Sequence, residues 1–283
     1  MTLSVTVRVM EESDLEFAMD LANQEYWDYD LTDVTRLHDL FPEGCFVAEK
    51  DGIRAGWVVA CTYGSLAWIS SLVVRNNLRG QGIGAALVKH LGEYARKLGI
   101  RTIGLYSYGK SAGFYESIGF KHDCIFEHLE GSSPKTCDGS SVRQVSDVGE
   151  IAELDRKYFR ADRKSLLSFL HEEYPHLLLS SQDTGFTGYI AGKDFSDGSA
   201  EIGPWVCEAT QSLLPEHLFA SELSRLKSSR IRLTIPAENL GAQRIVKKYC
   251  FQVEQRVSRM FLGRAEDLPR IDGIHAAAGL DVG

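Results

Sequence analysis

The chain has 283 residues, and at roughly 100–200 residues per domain that length predicts two domains. A hydrophobic content of 44% and a charged content of 25% exclude a disordered or fibrous chain. The balance is acidic, 39 Asp and Glu against 31 Lys and Arg for a net charge of −8, which argues against a nucleic-acid partner.

In chain order, a strand is expected at 5–9, then a helix from Glu12 to Ala22 that Ser13 or Asp14 would cap. A helical or irregular stretch runs to Phe41, followed by a hairpin over 45–61 that turns at Asp51-Gly52, and a strand through Trp68–Val74. A glycine turn opens the helix Gly84–Leu98, whose Ile83, Leu87, Leu91, Tyr94 and Leu98 form an apolar stripe and which Gly99 stops. A strand at 101–107, a short helix at 111–117 and a strand from Phe120 complete the unit. Helices alternating with strands predict an α/β fold, an α+β mixed sheet covered by helices.

The stretch E-G-S-S-P-K-T-C-D-G-S-S at 130–141 reads as a linker near the midpoint. On either side of it the same elements recur. The hairpin F-V-A-E-K-D-G-I-R-A-G-W-V-V-A parallels L-L-S-S-Q-D-T-G-F-T-G-Y-I-A-G, with Gly56 and Gly188 132 positions apart. I-R-T-I-G-L-Y-S-Y parallels S-R-I-R-L-T-I-P-A, and Phe120 lies 131 positions before Phe251. The division expected is a first domain at 1–130, a linker at 131–141 and a second copy of the same fold at 142–283.

No apolar run nears the roughly 20 residues that span a bilayer, and M-T-L-S-V-T-V-R does not read as a secretory leader. Cysteines 45, 61, 124, 137, 207 and 250 are too far apart for a zinc site or a small disulfide framework, so reduced thiols in a cytoplasmic protein are expected. The eight histidines form no metal-binding spacing and no metal is expected; His90 reads as a surface residue on the polar side of its helix.

The chemistry-bearing stretch is S-L-V-V-R-N-N-L-R-G-Q-G-I-G-A-A-L-V. Glycines at 80, 82 and 84 let the backbone approach a ligand closely, and the helix that follows offers free N–H groups at its positive end. That is an anion site suited to phosphate or pyrophosphate. Residues 75–121 hold eight Lys or Arg and two acids, Glu93 and Glu116; this +6 segment leaves −14 for the rest. A basic zone suits a polyanionic cofactor, and an acidic remainder suits a cationic partner.

These residues resemble the GNAT superfamily of acyl-CoA-dependent N-acyltransferases. Arg79, Gly82 and Gly84 match its Arg/Gln-x-x-Gly-x-Gly/Ala motif, and Phe114-Tyr115-Glu116-Ser117-Ile118-Gly119-Phe120 matches an aromatic pair followed by Gly-Phe. The resemblance implies two tandem GNAT-like domains and acetyl-CoA as co-substrate. Backbone groups of Leu72, Val73 and Val74 would pair with the pantetheine arm, and the pyrophosphate would rest on Arg79, Gly80, Gln81, Gly82, Ile83, Gly84 and Ala85. Tyr115 would protonate the departing thiolate. Tyr108 stands where the family often has an Asn that contacts the cofactor.

The second half is similar to a divergent GNAT-like domain. It keeps Asn239-Leu240-Gly241-Ala242, but has Val246 for Tyr115, and E-A-T-Q-S-L-L-P with Pro215 where the glycine loop belongs. It is expected not to bind CoA in the usual way and to serve the structure or the acceptor pocket.

The expected reaction is acetyl transfer to a primary amine by direct attack on the thioester, its oxygen polarised by a backbone N–H near Leu72–Val74. The acceptor is expected to be a small cationic molecule. In N-Q-E-Y-W-D-Y-D, Glu25, Asp28 and Asp30 would hold the ammonium, while Tyr26, Trp27 and Tyr29 pack its alkyl part. A different class of reading is a non-catalytic acyl-CoA-binding regulatory or scaffold module.

Overall fold

A computed structural model describes residues 5–27, 29–133, 142–181, 188–208 and 213–283. It divides into two compact units, one of the residues up to Leu105 with Val282, the other from Tyr106 to Asp281 with Gly283.

The first unit contains β1 (Val5–Val9), α1 (Leu15–Asn23), α2 (Leu31–Leu40), β2 (Cys45–Lys50), β3 (Ile53–Tyr63), β4 (Leu66–Val74), α3 (Ile83–Lys97) and most of β5 (Thr102–Tyr108). Strands β1 to β4 run antiparallel in sequence order, and β4 joins β5 in parallel over Leu66–Trp68 and Thr102–Gly104 alone. Trp57, Trp68, Tyr63 and Phe46 are among the largest side chains in its core. The amphipathic spacing of α3 buries Ile83, Leu87, Val88, Leu91 and Ala95. Leu98, read as the end of that stripe, is half exposed because the helix closes at Lys97 and Gly99 turns away at φ +77°. His90 is half-buried rather than a surface residue, edge-on to Phe46 at 4.8 Å.

Asp14 does not cap α1 with its side chain. Its buried carboxylate instead accepts from Arg8 at 2.6 and 3.0 Å and from the Glu11 N–H at 2.9 Å. Asp30 caps α2, accepting from the Asp33 N–H at 3.0 Å while Asp33 accepts from the Asp30 N–H in return.

The second unit takes up the end of β5 at Tyr106. It then contains α4 (Gly109–Ser117), β6 (Lys121–Gly131), β7 (Val142–Gln144), α5 (Gly149–Phe159), α6 (Lys164–Glu173), β8 (Leu178–Ser181) and β9 (Gly188–Asp194). There follow β10 (Ser199–Cys207), α7 (Leu214–Arg225), β11 (Arg230–Pro236), α8 (Leu240–Lys248), β12 (Gln252–Leu262) and β13 (Ile274–Ala276). The sheet order is β12-β6-β11-β10-β9-β8-β7, with β13 on β10. Its core packs Trp205 flat on Phe219 at 5.1 Å, among Leu218, Leu223, Ile231 and Leu233.

Strand β6 is the last strand of the first sequence repeat, yet it lies between β11 and β12, antiparallel to both. The compact units therefore part at Leu105 and Tyr106, ahead of the stretch read as a linker. Positions 134–141 of that stretch, and 182–187 of the second hairpin, lie outside the described residues.

Candidate active site

In the first unit, β4 and β5 stop pairing after Trp68 and Gly104, so the edge of β4 from Ile69 to Val74 runs on without β5. Within that edge is a bulge: Ser70 to Val73 on β4 faces only Val59 to Trp57 on β3. Ser71 takes up the extra residue at φ +49°, a left-handed conformation that non-glycine residues adopt where surrounding structure enforces it. A bulge re-aims backbone N–H groups off the ladder. Leu72, Val73 and Val74 thus present backbone at an edge, as an added extended ligand requires.

Beyond β4, Asn76–Leu78 form a single tight turn, and Arg79 leads extended into Gly80 at φ +74° and Gly82 at φ +81°. A Cβ at either glycine would meet nothing within 4 Å, so both face open space and are required by conformation. Gly82 is the cap of α3 and supplies no side chain to its first turn. The leading N–H groups of Ile83, Gly84 and Ala85 have no intrahelical acceptor. The row from Gly80 to Ala85 is thus a turn and helix start with free N–H groups, of the kind that accepts an anion. Gln81 is hydrogen-bonded to Lys50.

The segment after α1 lies against both parts of this site. Glu25 Oε1 and Arg79 Nη2 form an ion pair at 2.5 Å, and the same guanidinium donates from Nε to the Val74 carbonyl at 3.0 Å. The Tyr29 hydroxyl lies 3.3 Å from that of Ser71 at the bulge, and Ser71 lies 2.9 Å from Ser70. Asn23 fixes Tyr29 from both sides of its amide, donating to the Tyr29 carbonyl and accepting from its N–H, each at 2.8 Å. Trp27 tilts against Tyr29 at 5.7 Å.

Of the six residues named for the amine, Glu25, Trp27 and Tyr29 are half-buried in this arrangement. Tyr26 is 91% exposed at φ +62°. Asp30 is committed to capping α2. Asp28 lies outside the described residues. The contact of Tyr29 with Ser71 was not legible, because nothing in the spacing of 23–30 reports a partner on β4. A second feature the sequence did not disclose is a polar cleft lined by Ser13, Glu16, Asp20 and Gln24, in which Arg54 and Arg75 flank the Phe17 ring at 5.3 and 5.0 Å.

In the second unit, Tyr115 sits near the end of α4, edge-on to Phe114 at 5.1 Å and Phe120 at 5.7 Å. Burial pushes its hydroxyl up to about 12, further from the neutral range in which a tyrosine already carries its proton. Among the described residues that hydroxyl has no hydrogen-bond partner. Tyr108 precedes α4 and packs with Cys124, Phe126 and Ala277 instead of capping the helix.

The second repeat lacks this equipment. Helix α7 begins with Pro215 in its first turn, which removes an N–H from the row an anion would need. Val246, in the place of Tyr115, is buried in the core. Positions 209–212 of its divergent loop lie outside the described residues.

Among the described residues no three His, Cys, Asp or Glu side chains cluster to hold a metal. No helix there is long and apolar enough to cross a membrane.

The model of the acetyltransferase (GNAT) family matches residues 10–120, and that of an acetyltransferase (GNAT) domain matches 151–272. The chain belongs to the GNAT family and carries two of its domains in tandem. It is therefore an acyltransferase of the class that draws on acyl-CoA.

Its fold is similar to that of a candidate acetyltransferase of Pyrococcus horikoshii, with a TM-score of 0.83 at 20% identity over 99% of this chain and 96% of that one. A GCN5-related N-acetyltransferase of Sphaerobacter thermophilus follows with a TM-score of 0.69 at 19% identity, over 96% and 99% of the two chains. A tandem GNAT protein from the clavulanic acid biosynthesis pathway has a TM-score of 0.64 at 14% identity, over 92% and 98%. At these identities the likeness shows the fold alone. No curated protein sequence matches the chain.

Proposed function

We propose that the chain transfers an acetyl group from acetyl-CoA to a primary amine, a small cationic molecule, through the first repeat. The observation that carries this reading is the continuity of the first unit's site. A bulged, unpaired β4 edge runs directly into an uncapped glycine turn, and the acceptor-side residues Tyr29 and Glu25 touch its two ends.

In this reading the N–H groups from Gly80 to Ala85, with Arg79, hold the pyrophosphate, and the backbone of Leu72–Val74 orients the pantetheine arm as an added strand. An N–H freed by the bulge polarises the thioester oxygen. Glu25 receives the ammonium group of the acceptor, and Trp27 and Tyr29 pack beside it. The amine must lose a proton before it attacks. The nitrogen–carbonyl bond then forms, the carbon–sulfur bond breaks, and Tyr115 gives its proton to the departing sulfur.

A panel of primary amines assayed by thiol release from acetyl-CoA tests this reading. Release with small cationic amines, and none with neutral or acidic ones, is the expected result. No release with any amine, despite CoA binding, would replace the reading with the non-catalytic binding module.

A further inference from the structure

The second repeat reproduces the geometry of the first repeat's cofactor edge, and something already lies in it. Strands β10 and β11 pair in parallel only over Ser199–Ile202 and Arg230–Leu233, as β4 and β5 do over their own short stretch. The bulge recurs too: Ile202 to Trp205 faces only Gly192 to Ile190 on β9. The two bulges are 132 positions apart, which sets Gly203 in the place of Ser71 and Pro204 in that of Leu72.

Past the bulge, the segment 273–278 runs antiparallel to β10. Ala276 pairs with Trp205 and Ile274 with Val206, and the Cys207 N–H donates to the Gly273 carbonyl at 2.9 Å. On the other wall the Ala277 N–H donates to the Thr234 carbonyl of β11 at 2.9 Å. The Asn239 amide donates to the Ile274 carbonyl at 2.8 Å while its oxygen caps α8. Farther along, buried Lys193 donates to the Ala278 carbonyl at 2.8 Å. The segment is hydrogen-bonded to both diverging strands and to the asparagine that precedes α8.

We propose that residues 273–278 are a built-in surrogate for a pantetheine arm: a peptide strand seated in the splayed cleft of the second repeat, which closes that cleft to acyl-CoA. A pantetheine arm is a thin chain with two amide groups, and the segment matches that demand. It is G-I-H-A-A-A, with Ile274 and Ala276 to Ala278 all buried. Its fit leaves no room for side chains at the contact. A Cβ on Gly203 would stand 1.8 Å from the Ala277 oxygen, and one on Gly273 would stand 2.0 Å from the Tyr158 ring. Pro204 has no N–H to offer a thioester at the position of Leu72. The cleft has become a β-augmentation site whose occupant is the chain itself.

Hydrogen exchange of the full chain, with and without saturating CoA, tests this directly. In the native chain, amides of 205–207 and 273–278 should exchange as slowly as those of β11, and CoA should leave both unchanged. Gly203→Ala should speed exchange of both segments together by at least about 100-fold, while β8 and β9 stay protected. Exchange of 273–278 within seconds in the native chain, or slowing of 205–207 by CoA, would overturn the proposal. The native-chain comparison decides the matter even if the variant does not fold. The proposal is separable from the assigned function: CoA that protects neither 69–74 nor 80–85 would sink the function and leave the plugged cleft standing.

Discussion

Glu25 and Arg79 join the acceptor side of the site to the glycine turn through one ion pair, Oε1 to Nη2 at 2.5 Å. The family motif gives Arg79 to the anionic cofactor, and the proposed role of Glu25 is to hold a cationic acceptor. In the structure each satisfies the other; on the proposed reading, a pyrophosphate arriving at Arg79 would free a carboxylate for the amine. Exposed ion pairs are worth about 0.2–1 kcal/mol, and Arg79 is partly exposed. Glu25→Gln should therefore tighten acetyl-CoA binding about two- to fivefold and raise the amine KM by about tenfold, read by calorimetry and steady-state kinetics. Unchanged values of both would show that the pair plays no part.

Tyr115 carries its proton at neutral pH, and burial pushes its hydroxyl up further, to about 12. A positioned acid contributes about 10²–10⁴-fold. Tyr115→Phe removes only the hydroxyl and keeps the ring contacts with Phe114 and Phe120. It should lower kcat about 100-fold and leave the CoA Kd within about twofold. An unchanged kcat would remove Tyr115 from the chemistry.

The parts of this molecule that were legible in the sequence are those whose signals are local. Gly80 and Gly82 announce positive φ, and the apolar repeat of Ile83, Leu87 and Leu91 announces the helix behind them. The repeat itself was readable from its offset. What was hidden depends on pairing between distant segments. Lys121–Gly131 reads as a strand, but nothing in it reports that it lies between β11 and β12. The tail G-I-H-A-A-A carries little β-propensity, so its place beside Trp205 and Val206 comes from the cleft and not from its own composition. The helix-capping role of Asp30 was hidden because a carboxylate that holds an ammonium and one that caps a helix look alike in sequence.

Glu222 in α7 is fully buried, and neither carboxylate oxygen has a hydrogen-bond partner among the described residues. Burial raises its carboxyl well above the usual range against the opposing charge of Arg225, so the fold holds it neutral. A raised acid gives stability that is fully present below its unfolded value and is lost as pH rises toward its folded one. Leu91 holds the matching position in α3. Glu222→Leu should therefore gain stability over the native chain as pH rises from about 5 to 8, with a slope of about 1.4 kcal/mol per unit within the titration window. Urea melts at several pH values check this, and a pH-independent difference would contradict it.

On the proposed reading, the first repeat holds the acyl-CoA and the second does not. Calorimetric titration of the full chain with acetyl-CoA, repeated on Gly82→Val, tests it most directly. A β-branched residue cannot take φ +81° without strain, so the variant breaks the glycine turn while leaving the second repeat intact. One equivalent bound by the native chain and none by the variant is the predicted result. Two equivalents in the native chain, or one retained by the variant, would show that acyl-CoA binds outside the first repeat's glycine turn.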